Sequence, residues 1–569
     1  MSKKIVIIGG SAAGPKAAGR ARRMDENADV IIIQREPELA MATCGYPYYA
    51  QGIVKRRDHL IKDPDYFSGA KNITARANSE VLEIDRKARL LICRDTVSGK
   101  PFTQPYDKLI ITTGATPRRL GAEGETLSGV ATLHTMADND YFQRICKKKA
   151  VENAVVIGGG LVGMEACEAL ALAGIHVTVA EFSDQILPFL DWDMAKLVEN
   201  HCLEKGVDIR VNTEVQKFSG ENGALSGVHF TDGSHIKCQL AIVAAGVQPN
   251  VALAKSAGLS IGATGGIETD PHMKTSDPDI YAAGDCVQKK SRVTGKAVLA
   301  PMGDLANLEG RVAGENAATG DVATFNGILQ TGICRIFDFV AGSTGVNETQ
   351  AKRLSINSIS SLCAGSDKPF FMGPGSLISR MTADNVDGTL LGFQCVGTGD
   401  VSRQMASAAT ALYGRLSIDD ISGLDMPYAP PFSPAIDHFI AAAHVLSNKT
   451  RKLFSGVSTV EAKQMADKNK TDEKSQSLFI LDVRDPSEYK MQRLGIGETN
   501  IPVYLLRQRL DQLPKDKDTE IICFCFVAAR AYEASRILCA NGYKNIRVME
   551  GSIAAWPFEF EAEQPGAQA

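Results

Sequence analysis

Residues 154–181 read AVVIGGGLVGMEACEALALAGIHVTVAE, and the fold is decided there. AVVI is an apolar β-branched run of buried-strand length, GGGLVG a glycine turn, MEACEALALAG a stretch of helix formers, and HVTVAE a second strand. Gly158, Gly160 and Gly163 occupy the three positions of GxGxxG. The first permits a tight turn, the second lets backbone approach a pyrophosphate, and the third lets helix and strand pack closely. The helix N-terminus then offers N–H groups and a positive dipole end to phosphate. Glu181 closes the second strand, 23 residues after Gly158. A carboxylate there accepts hydrogen bonds from a ribose diol and repels a 2′-phosphate, so NADH is expected in preference to NADPH.

The same order of elements opens the chain: KIVII (4–8), the turn Gly9-Gly10-Ser11-Ala12-Ala13-Gly14, a helical AAGRARRM (17–24), and DVIII (29–33). This copy lacks the central glycine, and its strand runs into Gln34-Arg35-Glu36, which displaces the expected carboxylate by two residues. Two strand–turn–helix–strand units about 150 residues apart make an α/β chain with two Rossmann-like dinucleotide-binding domains. No such unit recurs over 325–446, where a separate α+β domain is expected. The polar, lysine-rich 447–470 reads as a linker. A small α/β domain follows over 471–569, with strands at 478–483, 520–525 and 545–548 and a helix after 528. The first domain is taken as 1–120 with 250–324, and the second as 121–249.

Composition narrows the function. In 569 residues, Lys+Arg 62 against Asp+Glu 66 leaves a net charge of −4, which predicts neither a nucleic-acid nor a polybasic membrane partner. No apolar run reaches the roughly 18 residues of a membrane helix. The start, MSKKIVIIGG, passes straight into a strand and a glycine turn, so no signal peptide is expected. Thirteen cysteines without paired CxxC spacing point to a reducing cytoplasm with mostly core thiols, one or two of them reactive, and no metal site.

Two further segments, YDKLIITTGATPR (106–118) and IYAAGDCV (280–287), complete a set of four motifs in a fixed order. Together they resemble the pyridine nucleotide–disulfide oxidoreductases over residues 1 to about 445. The resemblance implies FAD in the first unit, held by Gly9, Gly10, Ser11, Ala12, Ala13, Gly14, Gln34, Arg35, Glu36, Thr113, Gly114, Gly284 and Asp285. It implies NADH in the second, at Gly158, Gly160, Gly163, Glu181 and Gly246. In this family a cysteine at the position of Cys44, in ATCGYPYY (42–49), faces the flavin. If a helix follows it, the helix N-terminus would favour the thiolate. The C-x4-C partner position is Tyr49, which places the chain in the single-cysteine branch.

Within that branch, oxidases and peroxidases carry a histidine where this chain has Ala12, so the coenzyme A disulfide reductases are favoured. That resemblance implies substrate contacts from Lys16, Arg20, Arg23, Thr43, Lys71 and Phe370, and a homodimer in which Tyr428 of one chain enters the other's site. The branch's second active-site tyrosine is here Phe370, its asparagine before the cysteine Thr43, a serine Ala40, and a C-terminal lysine Ile436. LFILDVRDPSEY (478–489), TNIPV (499–503) and MEGSIAAW (549–556) resemble a rhodanese domain, with Cys525-Phe526-Val527-Ala528-Ala529-Arg530 as a C-x4-R loop. Such a loop aims N–H groups at one sulfur, and Arg530 adds charge at the rim. It lacks the usual glycine, having Ala528.

The whole chain resembles coenzyme A disulfide reductase–rhodanese fusions, which include NADH-dependent persulfide reductases. Cys44, Cys525, Tyr428 and Arg530 are then the catalytic candidates. Coenzyme A disulfide, coenzyme A persulfide, polysulfide and another small thiol all stand open as substrates. An NADH oxidase or peroxidase and a sulfur-binding module are the alternatives.

Overall fold

A computed structural model of the chain describes residues 2–148, 151–471 and 478–561. They form two compact units: Met1–Asp184 with Gly206–Ile328, and Gln185–Lys205 with Leu329–Ala569.

The first unit holds the two dinucleotide folds. In one five-stranded sheet the order is Ile280–Ala282, Lys108–Ile111, Lys4–Ile8, Asp29–Ile33, Thr74–Arg76, every pairing parallel. The second sheet repeats the plan with Asp208–Arg210, His176–Ala180, Asn153–Ile157, Leu240–Val243 and Val130–Ala131. Registers correspond as well: Lys4 faces Asp29 and Asn153 faces His176. A three-stranded antiparallel sheet accompanies each. Central strands such as Lys4–Ile8 and Asn153–Ile157 are buried along nearly their whole length, because helices pack against each parallel sheet and so does its antiparallel companion; in the second fold, Phe218, Leu225, Val228 and Phe230 of that companion cluster with Val155 and Ile157.

The turns are built where glycine was read. Gly9 and Gly158 take φ +106° and +108°, and a Cβ on either would lie 2.2 Å from Thr112 O or 2.5 Å from Ala244 O. A Cβ on Gly14 or Gly163 would strike the carbonyl of Gly9 or Gly158 at 2.0 and 1.9 Å.

The second unit pairs an antiparallel sheet with a parallel one. The antiparallel order is Gly332–Ile336, Phe339–Gly345, Leu390–Gly397, Ser376–Asp384, Ser358–Ser366. The parallel order is Ser455–Val457, Ile546–Met549, Glu520–Phe524, Leu478–Asp482, Thr499–Asn500.

Two segments depart from the sequence-based domain plan. Residues 185–205, expected within the NADH domain, group with the second unit through the helix Trp192–Glu204. The cause is a buried ion network: Arg380 meets Asp193 at 2.6 Å and Asp191 at 3.2 Å, while Asp191 accepts from Thr349 and Gln394. Burial would be costly for those carboxylates elsewhere. The expected linker 447–470 instead carries the end of the helix His438–Thr450, the strand Ser455–Val457 and most of the helix Thr459–Thr471. Lys468 and Lys470 are exposed on the solvent side of the helix Thr459–Thr471, whose Ala462 and Ala466 are buried.

Candidate active site

Cys44 is one of only two exposed cysteines among thirteen; the other is Cys539. It lies in the single 3-10 turn Thr43–Gly45, directly before the five-residue helix Tyr46–Ala50. A Cβ on Gly303, the first residue of the helix Gly303–Thr319, would lie 3.7 Å from Cys44 Sγ, so that helix begins against the thiol. A helix does follow Cys44, as expected, but it does not hold the thiol low. Desolvation, then the Glu165 carboxylate, push the Cys44 thiol above its ordinary value, and a hydrogen bond from Thr43 only partly opposes them. A helix of one turn carries too little dipole to outweigh both.

Glu165 was not singled out from sequence. It sits two residues past Gly163 on the helix Leu161–Leu172, where burial, then neighbouring Glu168, raise its carboxyl to about 7 despite a hydrogen bond to Tyr48. A group titrating near neutrality beside a thiol can hold or release a proton there.

The residues expected around FAD gather at one end of the first sheet. Gln34 Oε1 accepts the Gly10 N–H at 2.9 Å, just as Glu181 Oε2 accepts the Gly159 N–H at 2.6 Å in the second fold. Gln34 thus fills the structural place of the missing carboxylate, and Arg35 and Glu36 follow it at the rim. Thr113 Oγ1 donates to Asn250 O at 2.7 Å, and Gly114 takes φ +65°. Asp285 Oδ1 is buried with no partner among the described residues, and burial raises that carboxyl. An orphaned acceptor beside a glycine cradle suits the hydroxyl chain of a flavin.

In the second fold, Glu181 also accepts the Ser183 N–H at 2.8 Å, and Gly160 faces open space. Gly246 takes φ +88°, and its carbonyl accepts from Arg118 N.

Among the expected substrate contacts, Arg20 is committed to Glu315 at 2.6 Å, which leaves its charge largely answered. Lys16, Arg23, Thr43 and Lys71 are exposed on the first unit. Phe370 and Tyr428 belong to the second unit, 93% and 57% exposed, with Phe371 and Phe432 exposed as well.

Cys525, also in the second unit, is buried at the end of the strand Glu520–Phe524 and donates its N–H to Ser552 Oγ at 3.2 Å. The N–H groups of Phe526, Val527 and Ala528 meet no protein acceptor among the described residues, as a sulfur cradle requires. Ala528 takes φ +72°, the left-handed conformation the missing glycine would supply. Arg530 does not present free charge at the rim. Glu488 grips it at 2.6 and 2.8 Å, and Arg530 in turn holds the Glu488 carboxyl down at about 2. Glu488 lies in the quoted DPSEY stretch, but spacing alone did not disclose its partner. Behind the loop, Glu550 accepts the Leu362 N–H at 3.0 Å and pairs with Lys449, which ties the residue beside Gly551-Ser552 to the antiparallel sheet.

Residues 3–300 match the family model of the pyridine nucleotide-disulphide oxidoreductases, and 333–440 match that family's dimerisation domain. The chain belongs to this family. Residues 458–558 match the rhodanese-like domain. Membership makes the chain an oxidoreductase and implies FAD and a pyridine nucleotide. A Pyrococcus horikoshii protein described as an NAD(P)H coenzyme A polysulfide/persulfide reductase is 34% identical over 448 residues, 78% of this chain and 99% of that one. The structure of an NAD-dependent persulfide reductase from A. fulgidus aligns with TM-score 0.91 and 36% identity, over 97% of this chain and 100% of that one. The reduced CoADR-RHD of Bacillus anthracis aligns with TM-score 0.91 and 30% identity, over 98% of both chains.

Proposed function

We propose that this chain is a homodimeric, cytoplasmic flavoenzyme that uses NADH to reduce a coenzyme A-type disulfide, persulfide or polysulfide at Cys44, with Cys525 carrying sulfane sulfur. The observation that carries the reading is Cys44 itself. It is an exposed thiol at the mouth of the FAD-type fold, against Gly303 and near Glu165, and its family partner position is the aromatic Tyr49. Relatives named as persulfide and coenzyme A polysulfide/persulfide reductases support it. The exposed Phe370, Phe371, Tyr428 and Phe432 on the dimerisation part support a second copy covering them.

FAD, where bound, would pass the two electrons of NADH to sulfur. The chain's own residues do the rest. The turn Gly9–Gly14, Gln34 and Asp285 would hold the flavin, while Gly158, Gly160, Gly163 and Glu181 would hold NADH. The Cys44 thiolate attacks one sulfur of RS–SR′, forming a Cys44–SR disulfide and releasing R′S⁻. Two electrons and one proton then return Cys44 to thiolate and release RSH, with Glu165 placed to manage that proton. For a persulfide the balance is NADH + H⁺ + RSSH → NAD⁺ + RSH + H₂S. With Arg530 neutralised by Glu488, the Cys525 loop suits uncharged or apolar sulfur donors over dianions.

Anaerobic NADH oxidation across coenzyme A disulfide, coenzyme A persulfide and polysulfide tests the reading. Cys44→Ser should abolish NADH-linked reduction yet keep sulfur transfer to cyanide. Cys525→Ser should do the reverse. Persulfide reduction surviving in Cys44→Ser would overturn it.

A further inference from the structure

Beneath Asp285 the first unit buries an ion pair that the reaction above does not use. Lys289 Nζ lies 3.2 Å from Glu309 Oε1, with both side chains 1% exposed. The same two groups take hold of one glycine. Gly284 N donates to Glu309 Oε2 at 2.8 Å, and Gly284 O accepts from Lys289 Nζ at 2.9 Å. Both polar groups of the residue immediately before Asp285 are therefore spoken for, one by each partner of the pair.

The clamp is anchored on two sides. Glu309 stands on the helix Gly303–Thr319, and its neighbour Gly310 packs so closely that a Cβ there would lie 2.4 Å from Ala13 O, in the helix that leaves the first glycine turn. Gly284 takes φ +90°, and a Cβ on it would stand 3.2 Å from Ala13 Cβ. The buried pair thus sets the distance between the glycine turn and the Gly284–Asp285 corner. Two fully desolvated charges are a poor source of net stability compared with well-packed apolar side chains. What they supply here is direction.

We infer that Lys289 and Glu309 are positioning residues that aim the Asp285 carboxylate at the flavin's hydroxyl chain. Asp285 Oδ1, buried and unpartnered, is the group so aimed. The inference rests on the proposed FAD site and names the residues that shape it.

The test is FAD affinity of the full-length protein, read from the fluorescence of released flavin, with flavin absorbance as a second signature. Lys289→Met/Glu309→Gln removes the pair without leaving a lone buried charge, and it deprives Gly284 O of its donor. We expect FAD to bind at least tenfold more weakly, with a shifted flavin band and apoprotein melting close to that of the parent. In an Asp285→Asn background the same double change should cost less than threefold, because the carboxylate it serves is gone. Should the double variant not fold, Lys289→Met alone deprives Gly284 O of its donor, leaves Glu309 free to bind a proton, and should still weaken FAD binding. Unchanged FAD affinity in either variant would overturn the inference, as would a loss of the same size with and without Asp285. A parent protein that bound no FAD would overturn the cofactor reading itself, and the inference with it.

Discussion

Replacing Ala528 by glycine should stabilise the sulfur-carrying loop. Ala528 stands at φ +72° and ψ −13°, between Cys525 and the helix Ala529–Ala540. In that conformation an L side chain crowds the following carbonyl, at a cost of about 1–2 kcal/mol. Glycine escapes the crowding but loses about 0.4–1 kcal/mol to the greater freedom of its unfolded chain. Taking the middle of each range, the difference is a net gain of about 0.8 kcal/mol, or about fourfold in an opening equilibrium. Native-state amide exchange of the full-length protein reads that equilibrium at the flanking strand Glu520–Phe524 and along the helix Ala529–Ala540. Exchange there should slow by that factor, while the protein's first unit is unaffected. Sulfur transfer to cyanide should be retained, because the backbone already adopts the glycine-like shape. Faster or unchanged exchange in Ala528→Gly would refute the claim that the loop stores strain at this residue.

Glu165→Gln removes a charge that holds the Cys44 thiol high, so the thiol's titration should move down. Since only the thiolate reacts, alkylation by iodoacetamide at pH 8.5, where Glu165 is ionised, should be faster in the variant; slower alkylation would contradict the assignment. At the rhodanese loop, Glu488 is held at about 2 by Arg530. Its folded value lies below the ordinary one, so the pair's contribution is present above the ordinary carboxylate range and lost as pH falls toward 2. Glu488→Gln frees Arg530 and should raise kcat/KM for thiosulfate about five- to tenfold, equal to about 1–1.4 kcal/mol of screened attraction for a dianion. A fall with thiosulfate would show that Arg530 needs Glu488 for position more than it suffers from its charge.

Much of the molecule was legible along the chain because its signals are local. A glycine turn declares itself where Gly9 and Gly158 must take positive φ and Gly14 and Gly163 must admit a carbonyl, and the flanking β-branched runs name the strands. Repetition of that signal announced two dinucleotide folds, and the C-x4-R spacing announced the loop around Cys525. The lysine-rich 447–470 misled because composition reports the solvent side of a helix as readily as a linker, whereas Ala462 and Ala466 facing inward become visible only when packed.

Charge was decided by tertiary structure alone. Sequence shows that Arg530 and Arg20 are cationic; folding alone brings Glu488 and Glu315 to them and cancels the charge each was expected to offer. Cys44 was identifiable from its neighbours, yet the rise of its thiol comes from desolvation by the groups packed around the sulfur and from Glu165, which lies more than a hundred residues away in the chain. Asp191 and Asp193 were unremarkable in the sequence, and only the fold pairs both with Arg380, nearly two hundred residues on. Glycine turns and the β-branched runs beside them are set largely by steric rules among adjacent residues, so those elements were readable along the chain. An electrostatic environment depends on which distant groups share a low-dielectric interior, and only the folded chain determines that.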